Sequence, residues 1–454
     1  MHSLVAGIDL GSTGIKVLVA DGDGRTLLVR QRPTPWVGGP AGTTDMLAED
    51  LVTTVHTLLE DVSAALVEET GLAAPRIEAL AVAGMGETGF VVADDGTVLS
   101  PGIAWFDPRG RAQVDALPEA MRSRFAGRTG LPWGVQVTLA KLLHLRDGGV
   151  PLAGSRWVNL PEYIVHVLGG RLVAERSLTS RTGLVDQDSG EPWGEALELL
   201  GVGPDFLPEL VEPGTPLGET TWARVPEAFR GARLTVAGHD HLVAAVSGGL
   251  VAGDAYHVSM GTAEVLLRVV DGPLTFDVRR RLGDALINCV HHVVPGQHVL
   301  VAGVKTGLLM RRALQLFGID GAEQREALDA QVMGLGTRSG LAPGAVQVSG
   351  ARNDDGVLRL AVRADGVTPA EAFVAVLRHG NDEIRDLVAV MDRELAPATS
   401  TLLSGGWTGM ESVRAVRAEV LPGLQVSDRT QDTAHGAAGF ASRLLTAQAV
   451  ELTD

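Results

Sequence analysis

The sequence predicts an α/β protein of two domains, and three observations carry that expectation. Strand-like and helical periodicities alternate along the chain, the pattern of sheets flanked by helices. A glycine turn follows the first strand, in GIDLGSTGIKVLVADGDG from Gly7 to Gly24. The second half repeats the first in outline, with its own strand–turn–strand unit in VSMGTAEVLL. At 454 residues the chain is long for one domain and suits two of roughly 200 each.

Val5, Ile8 and Leu10 mark the first strand, and Val17 and Val19 the second. Asp21-Gly22-Asp23-Gly24 reads as a hairpin turn, with the third strand at 26–29. Leu51, Val55, Leu58, Leu59, Val62, Ala65 and Leu66 recur at helical spacing, with Thr44 or Asp45 as N-cap and Gly71 as stop. A strand at 79–83 leads into a Gly-rich turn at 84–89. The loose stretch PTPWVGGPAG is expected to be a surface or cleft loop. The domain boundary is placed at 235, giving domains 1–235 and 236–454. Beyond it come strands at 256–260 and 265–270, a helix at 373–395, a strand and turn at 402–409, and a closing helix after Asp432.

Hydrophobic residues make up 45% and charged residues 20%, as in soluble globular proteins. A net charge of −17 argues against nucleic acid or an anionic membrane as partner. Cys289 is the single cysteine, so no intrachain disulfide forms and a reducing compartment fits. No apolar run is long enough to span a bilayer and no signal peptide is visible, so a cytoplasmic location is expected.

Of 38 basic residues only Lys16, Lys141 and Lys305 are lysines. Lys16 follows the first glycine turn and Lys305 sits in a glycine-spaced segment. Both are phosphate candidates, because a compact ammonium suits phosphate oxygens. Lys141 falls in a helical pattern with Leu139, Leu142 and Leu143 and reads as structural.

Several segments point to chemistry, each with a plainer structural alternative. In DLGSTGIK, a glycine turn at Gly11, Ser12 and Thr13 brings backbone N–H groups close to phosphate oxygens. Asp9, ending the strand, suits Mg²⁺ held through water. Gly261 and Thr262 form a second such turn. Gly405 and Gly406 in SGGW permit flat packing of a purine against backbone. Any of the three also reads as an ordinary turn. Asp240, in G-H-D-H, is a candidate base flanked by the possible donors His239 and His241; it equally reads as a helix N-cap. Zinc would need more ligands than this cluster offers. Glu87, Trp105, Asp107 and Arg109 offer the mix a sugar needs, an apolar ring and charged groups. Asp107 and Arg109 alternatively form a local salt bridge before Pro108.

Over essentially its whole length the chain resembles the FGGY carbohydrate kinases, of the actin/hexokinase/heat-shock-chaperone ATPase superfamily. GIDLGSTGIK, the W-x-D-x-R at 105–109, PEYIVHVLGG, RTGLVD, LPELVEPGTPLG, the G-x-D at 238–240, VSMGT, LSGGW and HGAAGFA occur in family order. The resemblance, closest to the xylulokinase-like branch, implies two ribonuclease-H-like domains with mixed five-stranded sheets and an ATP cleft between them. It makes Asp240 the catalytic base and Asp9 the metal-associated aspartate. It assigns Gly11, Ser12 and Thr13 to the first phosphate turn and Gly261 and Thr262 to the second. Gly405 and Gly406 become the adenosine turn, and Gly307 lies near the nucleotide. It implies ATP and Mg²⁺ as cofactors, a sugar or polyol as small-molecule partner, and permits a homodimer.

The chain also departs from the family pattern. Trp407 replaces a third glycine of the adenosine motif, and Met410 a small polar residue. Adenine then stacks on Trp407, or the nucleotide site is altered. SGARNDDGVLRL stands where an Arg-Thr-Pro is common. GMGETG differs from the Gln-Met-His of xylulokinases; its Glu-Thr resembles the glycerol kinase turn without that turn's arginine. His-Asp before a helix resembles kinases of deoxy-ketoses such as rhamnulose and fuculose. The expected activity is transfer of the ATP γ-phosphoryl group to a sugar hydroxyl, of a pentulose or related ketose such as xylulose. The alternative is a nucleotide-binding interaction or filament protein of the superfamily. An acyl kinase is disfavoured by the few cations near the acceptor turn.

Overall fold

The computed structural model describes residues 3–250, 253–335, 342, 344–352, 359–427 and 431–451. Two mixed sheets carry the fold. The first comprises β1 (Leu4–Leu10), β2 (Gly14–Ala20), β3 (Thr26–Pro33), β4 (Ile77–Gly84) and β5 (Arg233–His239). Their order is β5-β4-β1-β2-β3. The first three strands are antiparallel neighbours, and β4 and β5 add in parallel to β1. Helix α1 (Ala48–Thr70) crosses over from β3 to β4, and α2 (Asp240–Ser247) follows β5.

The second sheet comprises β6 (Ala255–Met260), β7 (Glu264–Asp271), β8 (Ile287–His291), β9 (Gln297–Val304), β10 (Ser400–Ser404) and β11 (Leu424–Val426). Its order is β8-β9-β7-β6-β10-β11. Without β8, the order and strand directions repeat those of the first sheet. The duplication expected from the sequence is therefore present, with six strands in the second copy rather than five. Strand β8 is the addition, paired antiparallel to the edge of β9. Helices α3 (Thr306–Leu316) and α4 (Pro369–Glu394) lie between β9 and β10, and α5 (Asp432–Glu451) follows β11.

Local sequence explains the elements. All seven residues of β1 are buried, because the strand is central and covered on both faces, so it reads as a continuous apolar run. In α1 the buried side chains are Leu51, Val55, Leu58, Leu59, Val62 and Leu66, one face of a helix, and Gly71 closes it at φ 66°. The N-cap differs from expectation. It is Leu47, while Thr44 and Asp45 lie in the short strand Thr44–Met46. A capping box starts α4: Glu371 N donates to Thr368 Oγ1 at 3.3 Å and Thr368 N to Glu371 Oε2 at 2.9 Å.

The boundary expected at 235 falls inside β5, which pairs with β4 over residues 233–239. Helix α5 also returns to the first sheet and packs on β1, β4, β5 and α2. A Cβ on Gly7 would stand 2.1 Å from the Ala434 carbonyl oxygen. The small face of Ala434 and the HGAAGFA that follows it, with Ala434, Ala437, Ala438 and Ala441 buried, permits that approach. No helix among the described residues is long and apolar enough to cross a membrane.

Candidate active site

Strand ends of the first sheet and strands β7, β8 and β9 of the second border a cavity of about 280 Å³. Ser12, Glu87, Trp105, Arg181, His239 and Asp240 line it from the first side. Ala263, Val265, Asn288 and Lys305 line it from the second.

Asp240 reaches this cavity through a sharp junction between β5 and α2. The register slips between Val236 and Gly238, a bulge that re-aims the strand end. Gly238 takes φ 112°, and a Cβ there would lie 2.5 Å from Ser177 Oγ. That hydroxyl accepts from His239 N at 3.0 Å and donates to Glu175 Oε2 at 2.7 Å. His239 is the N-cap position, and Asp240 is the first helical residue rather than the cap. Its Oδ1 accepts from His241 N at 2.6 Å. Burial works to raise the Asp240 carboxyl, but His241, the His241 amide and Arg181 outweigh it and hold the group below the usual carboxylate range. His239 is itself pushed down to about 3 by burial, so near neutral pH its ring lends no charge. An ionised carboxylate in the first turn of a helix, lining a cavity, is chemically a base.

The first glycine turn is braced from outside. Thr34 Oγ1 donates to the Gly11 carbonyl at 2.6 Å and Trp36 Nε1 to the Ser12 carbonyl at 2.7 Å. Both come from the stretch expected to be a loose loop; it holds the short strand Trp36–Gly38. Trp105 Nε1 donates to Ser12 Oγ at 2.9 Å, which joins the turn to the cavity wall. Thr13 is exposed, and Gly11 and Lys16 are half-buried. Asp9 is buried, with Lys16 Nζ at 3.4 Å. Burial raises its carboxyl to about 7 against the pull of Lys16, and the Asp240 charge adds to the rise.

Asp107 and Arg109 are not brought to this cavity. Asp107 is fully buried and accepts from Thr44 N at 2.6 Å and Arg109 N at 2.7 Å. Arg109 Nη2 bonds Asp107 Oδ2 and Asp45 Oδ1, each at 2.6 Å. Lys141 Nζ, also buried, donates to the carbonyls of Asp107 and Arg109. The structural alternative, a salt bridge that shapes a turn, describes the Asp107–Arg109 pair, and Lys141 is structural as expected.

A second cavity, of about 420 Å³, is lined by Met260, Gly261, Gly406, Trp407, Gly409 and Met410. Gly405, at φ 101°, opens the loop between β10 and these residues. Trp407 Nε1 donates to the Gly261 carbonyl at 3.1 Å, and the Thr262 carbonyl accepts from Leu308 N at 2.8 Å. A Cβ on Gly307 would stand 1.9 Å from that same Gly261 oxygen. The start of α3 is anchored by Thr306 Oγ1, which donates to Glu264 Oε2 at 2.6 Å, and Glu264 is in turn paired with buried Arg417. Gly261 lines one cavity and Ala263 the other, so the second glycine turn stands between them.

The sequence reading passed over Arg181 and Asn288 in the first cavity and Arg325, Glu326 and Asp329 in the second. Arg181 stood in a quoted segment, RTGLVD, but nothing in its neighbours marked it. Asp329 takes the amides of Glu411 and Ser412 at 2.7 and 2.9 Å, a helix-start contact made across 82 residues. Residues 353–358, where the departure from Arg-Thr-Pro falls, lie outside the described residues.

The repeated sheet connectivity, with both cavities at the strand ends, is that of the actin-like ATPase fold. The model of the FGGY family of carbohydrate kinases, N-terminal domain, matches residues 4–247, more than half of the chain. The chain belongs to that family. Xylulose kinase from Lactobacillus acidophilus superposes with a TM-score of 0.85 at 17% identity, covering 98% of this chain and 90% of that one. Glycerol kinase from Plasmodium falciparum, solved with ADP, gives 0.83 at 15% identity over 98% and 90%. Among curated relatives, a rhamnulokinase from Enterococcus faecalis is 31% identical over 25% of this chain and 24% of its own. Xylulose kinase from Bacillus subtilis is 24% identical over 58% of this chain and 53% of its own. The chain thus spans about half, or less, of the curated relatives it matches.

Proposed function

We propose that the protein transfers the γ-phosphoryl group of ATP to a hydroxyl of a small sugar or polyol, most favourably a ketose such as a pentulose. The observation that carries this reading is the ionised Asp240 carboxylate, lining a cavity that adjoins a second one across the Gly261–Ala263 turn. The acceptor occupies the cavity with Asp240. The nucleotide lies in the one walled by Trp407 and Met410, with its phosphates across the two glycine turns.

Asp240 takes the proton of the acceptor hydroxyl as its oxygen bonds the γ-phosphorus, and the bond from that phosphorus to the β-phosphate oxygen breaks, releasing ADP. Backbone N–H groups of Gly11–Thr13 and of Thr262 offer donors to the phosphate oxygens, while the Gly261 N–H closes its own turn on the Ala263 carbonyl at 2.9 Å. Trp105 gives the sugar an apolar face, and Glu87 and His239 offer hydrogen-bonding groups. Lys305, at the start of α3, brings a cation to the acceptor side of the turn.

Asp9 fits a magnesium ion held through water: it is a buried carboxylate whose ionised form lacks a full counter-charge. Among the described residues no group of three or more His, Cys, Asp or Glu side chains forms a metal cage. Phosphate oxygens and water would then complete the shell, and the ion would offset charge on the transferring group. The cavity with Asp240, Glu87 and Trp105 supports this reading over that of a filament or interaction protein. Acceptor-dependent ADP release from Mg-ATP tests it; ATP binding with no response to any sugar or polyol would count against it.

A further inference from the structure

The turn that carries Glu87 has no side chain at Gly86, and another part of the chain fills the place. A Cβ at Gly86 would stand 3.0 Å from Arg181 Cδ, 3.3 Å from Arg181 Nε and 2.9 Å from His239 Cδ2. Arg181 Nε donates to Glu87 Oε1 at 2.6 Å, and Nη2 pairs with the same oxygen. Glu87 Oε2 has no protein partner among the described residues. Both side chains are only 11% exposed, and both line the cavity beside Asp240. Glu87 sits at φ 62°, a conformation a non-glycine residue keeps only where its surroundings fix it.

We propose that Arg181 is a positioning residue for acceptor recognition: it fixes the Glu87 carboxylate so that Oε2 accepts a hydrogen bond from a hydroxyl of a polyhydroxy acceptor. The inference rests on the kinase reading above. Oε2 can only accept, so its partner is a donor, a hydroxyl of the acceptor rather than a carboxylate; Lys305 and Arg352 line the cavity as well, and Arg181 Nη1 is buried without a hydrogen-bond partner among the described residues.

The groups that face Glu87 are Arg181, Asp240 and His241, with His239 neutral beside them. Burial raises the Glu87 carboxyl and Arg181 opposes the rise, so removing the guanidinium pushes it higher. Acceptor recognition then fails at a higher pH than in the unaltered protein.

The test compares the full chain with Arg181→Gln and Arg181→Lys. ADP release is measured with the best acceptor and with its analogues lacking one hydroxyl. The unaltered protein should disfavour one deoxy analogue by on the order of 100-fold in kcat/KM. Arg181→Gln should raise the acceptor KM by about tenfold or more, shrink the penalty for that deoxy analogue, and move the acid limb of kcat/KM to higher pH. Arg181→Lys should restore part of each, and the ATP KM should hold in both, which shows that the variants fold. The inference is overturned if Arg181→Gln slows every acceptor by one common factor with an unmoved pH profile, or if the unaltered protein does not discriminate against any of the deoxy analogues. Absence of any acceptor-dependent ADP release from the unaltered protein would instead remove the kinase reading, and this inference with it.

Discussion

Trp407 and Gly261 are joined by a hydrogen bond of 3.1 Å from the indole Nε1 to the carbonyl oxygen, which ties the loop after β10 to the turn between β6 and β7. Gly307 closes on the same oxygen from a third direction. Trp407, which stands where the sequence resemblance led one to expect a third glycine, therefore braces the second glycine turn. Gly307→Ala forces that contact apart. The ATP KM should rise by about tenfold or more, roughly the effect of 1.4 kcal/mol, with the acceptor KM nearly unchanged. Trp407→Phe keeps an aromatic wall but loses the donor, and should give a smaller rise than Trp407→Ala.

Asp240→Asn removes the base and leaves the junction intact, because an amide oxygen still accepts from His241 N. Turnover should fall by about 10²–10⁴-fold, with acceptor affinity measured by calorimetry little changed.

The Asp9 carboxyl, raised by burial to about 7, predicts a pH-dependent magnesium requirement. As pH falls through that value the carboxyl protonates and loses its hold on a cation. The apparent Mg²⁺ requirement should climb on the acid side of neutrality, and saturating Mg²⁺ should move the limb to lower pH. Asp9→Asn should bind Mg-ATP weakly at every pH, with the dependence gone.

Asp107→Ala should act on stability more than on catalysis. It leaves Arg109 and the Thr44 amide without their buried partner, a loss of about 3 kcal/mol. The melting temperature should drop by about 5–10 °C. Turnover by the protein still folded should stay within about threefold.

What the sequence made legible was local. Helix α1 was readable because its apolar residues fall on one face and Gly71 can take a left-handed turn. The place of Asp240 at a strand–helix junction was readable because Gly238 stands two residues before it and an apolar helical run follows. The limits of the two halves were not readable. They depend on β5 pairing with β4 and on α5 packing against β1, contacts made across hundreds of residues. Asp107 and Arg109 looked the same as binding or as bracing residues, since both uses need charges near a turn; only the partners Thr44, Asp45 and Lys141 distinguish them. Arg181 was silent because its meaning comes from Glu87, 94 residues away.

The central claim is most directly tested by ADP release from Mg-ATP across pentuloses, hexuloses, deoxy-ketoses, tetritols, glycerol and sugar acids, run in parallel with the Asp240→Asn variant. The account predicts release that depends on a polyhydroxy acceptor and is nearly abolished in Asp240→Asn while ATP still binds. Release that no acceptor stimulates, or that persists at full rate in Asp240→Asn, would contradict it.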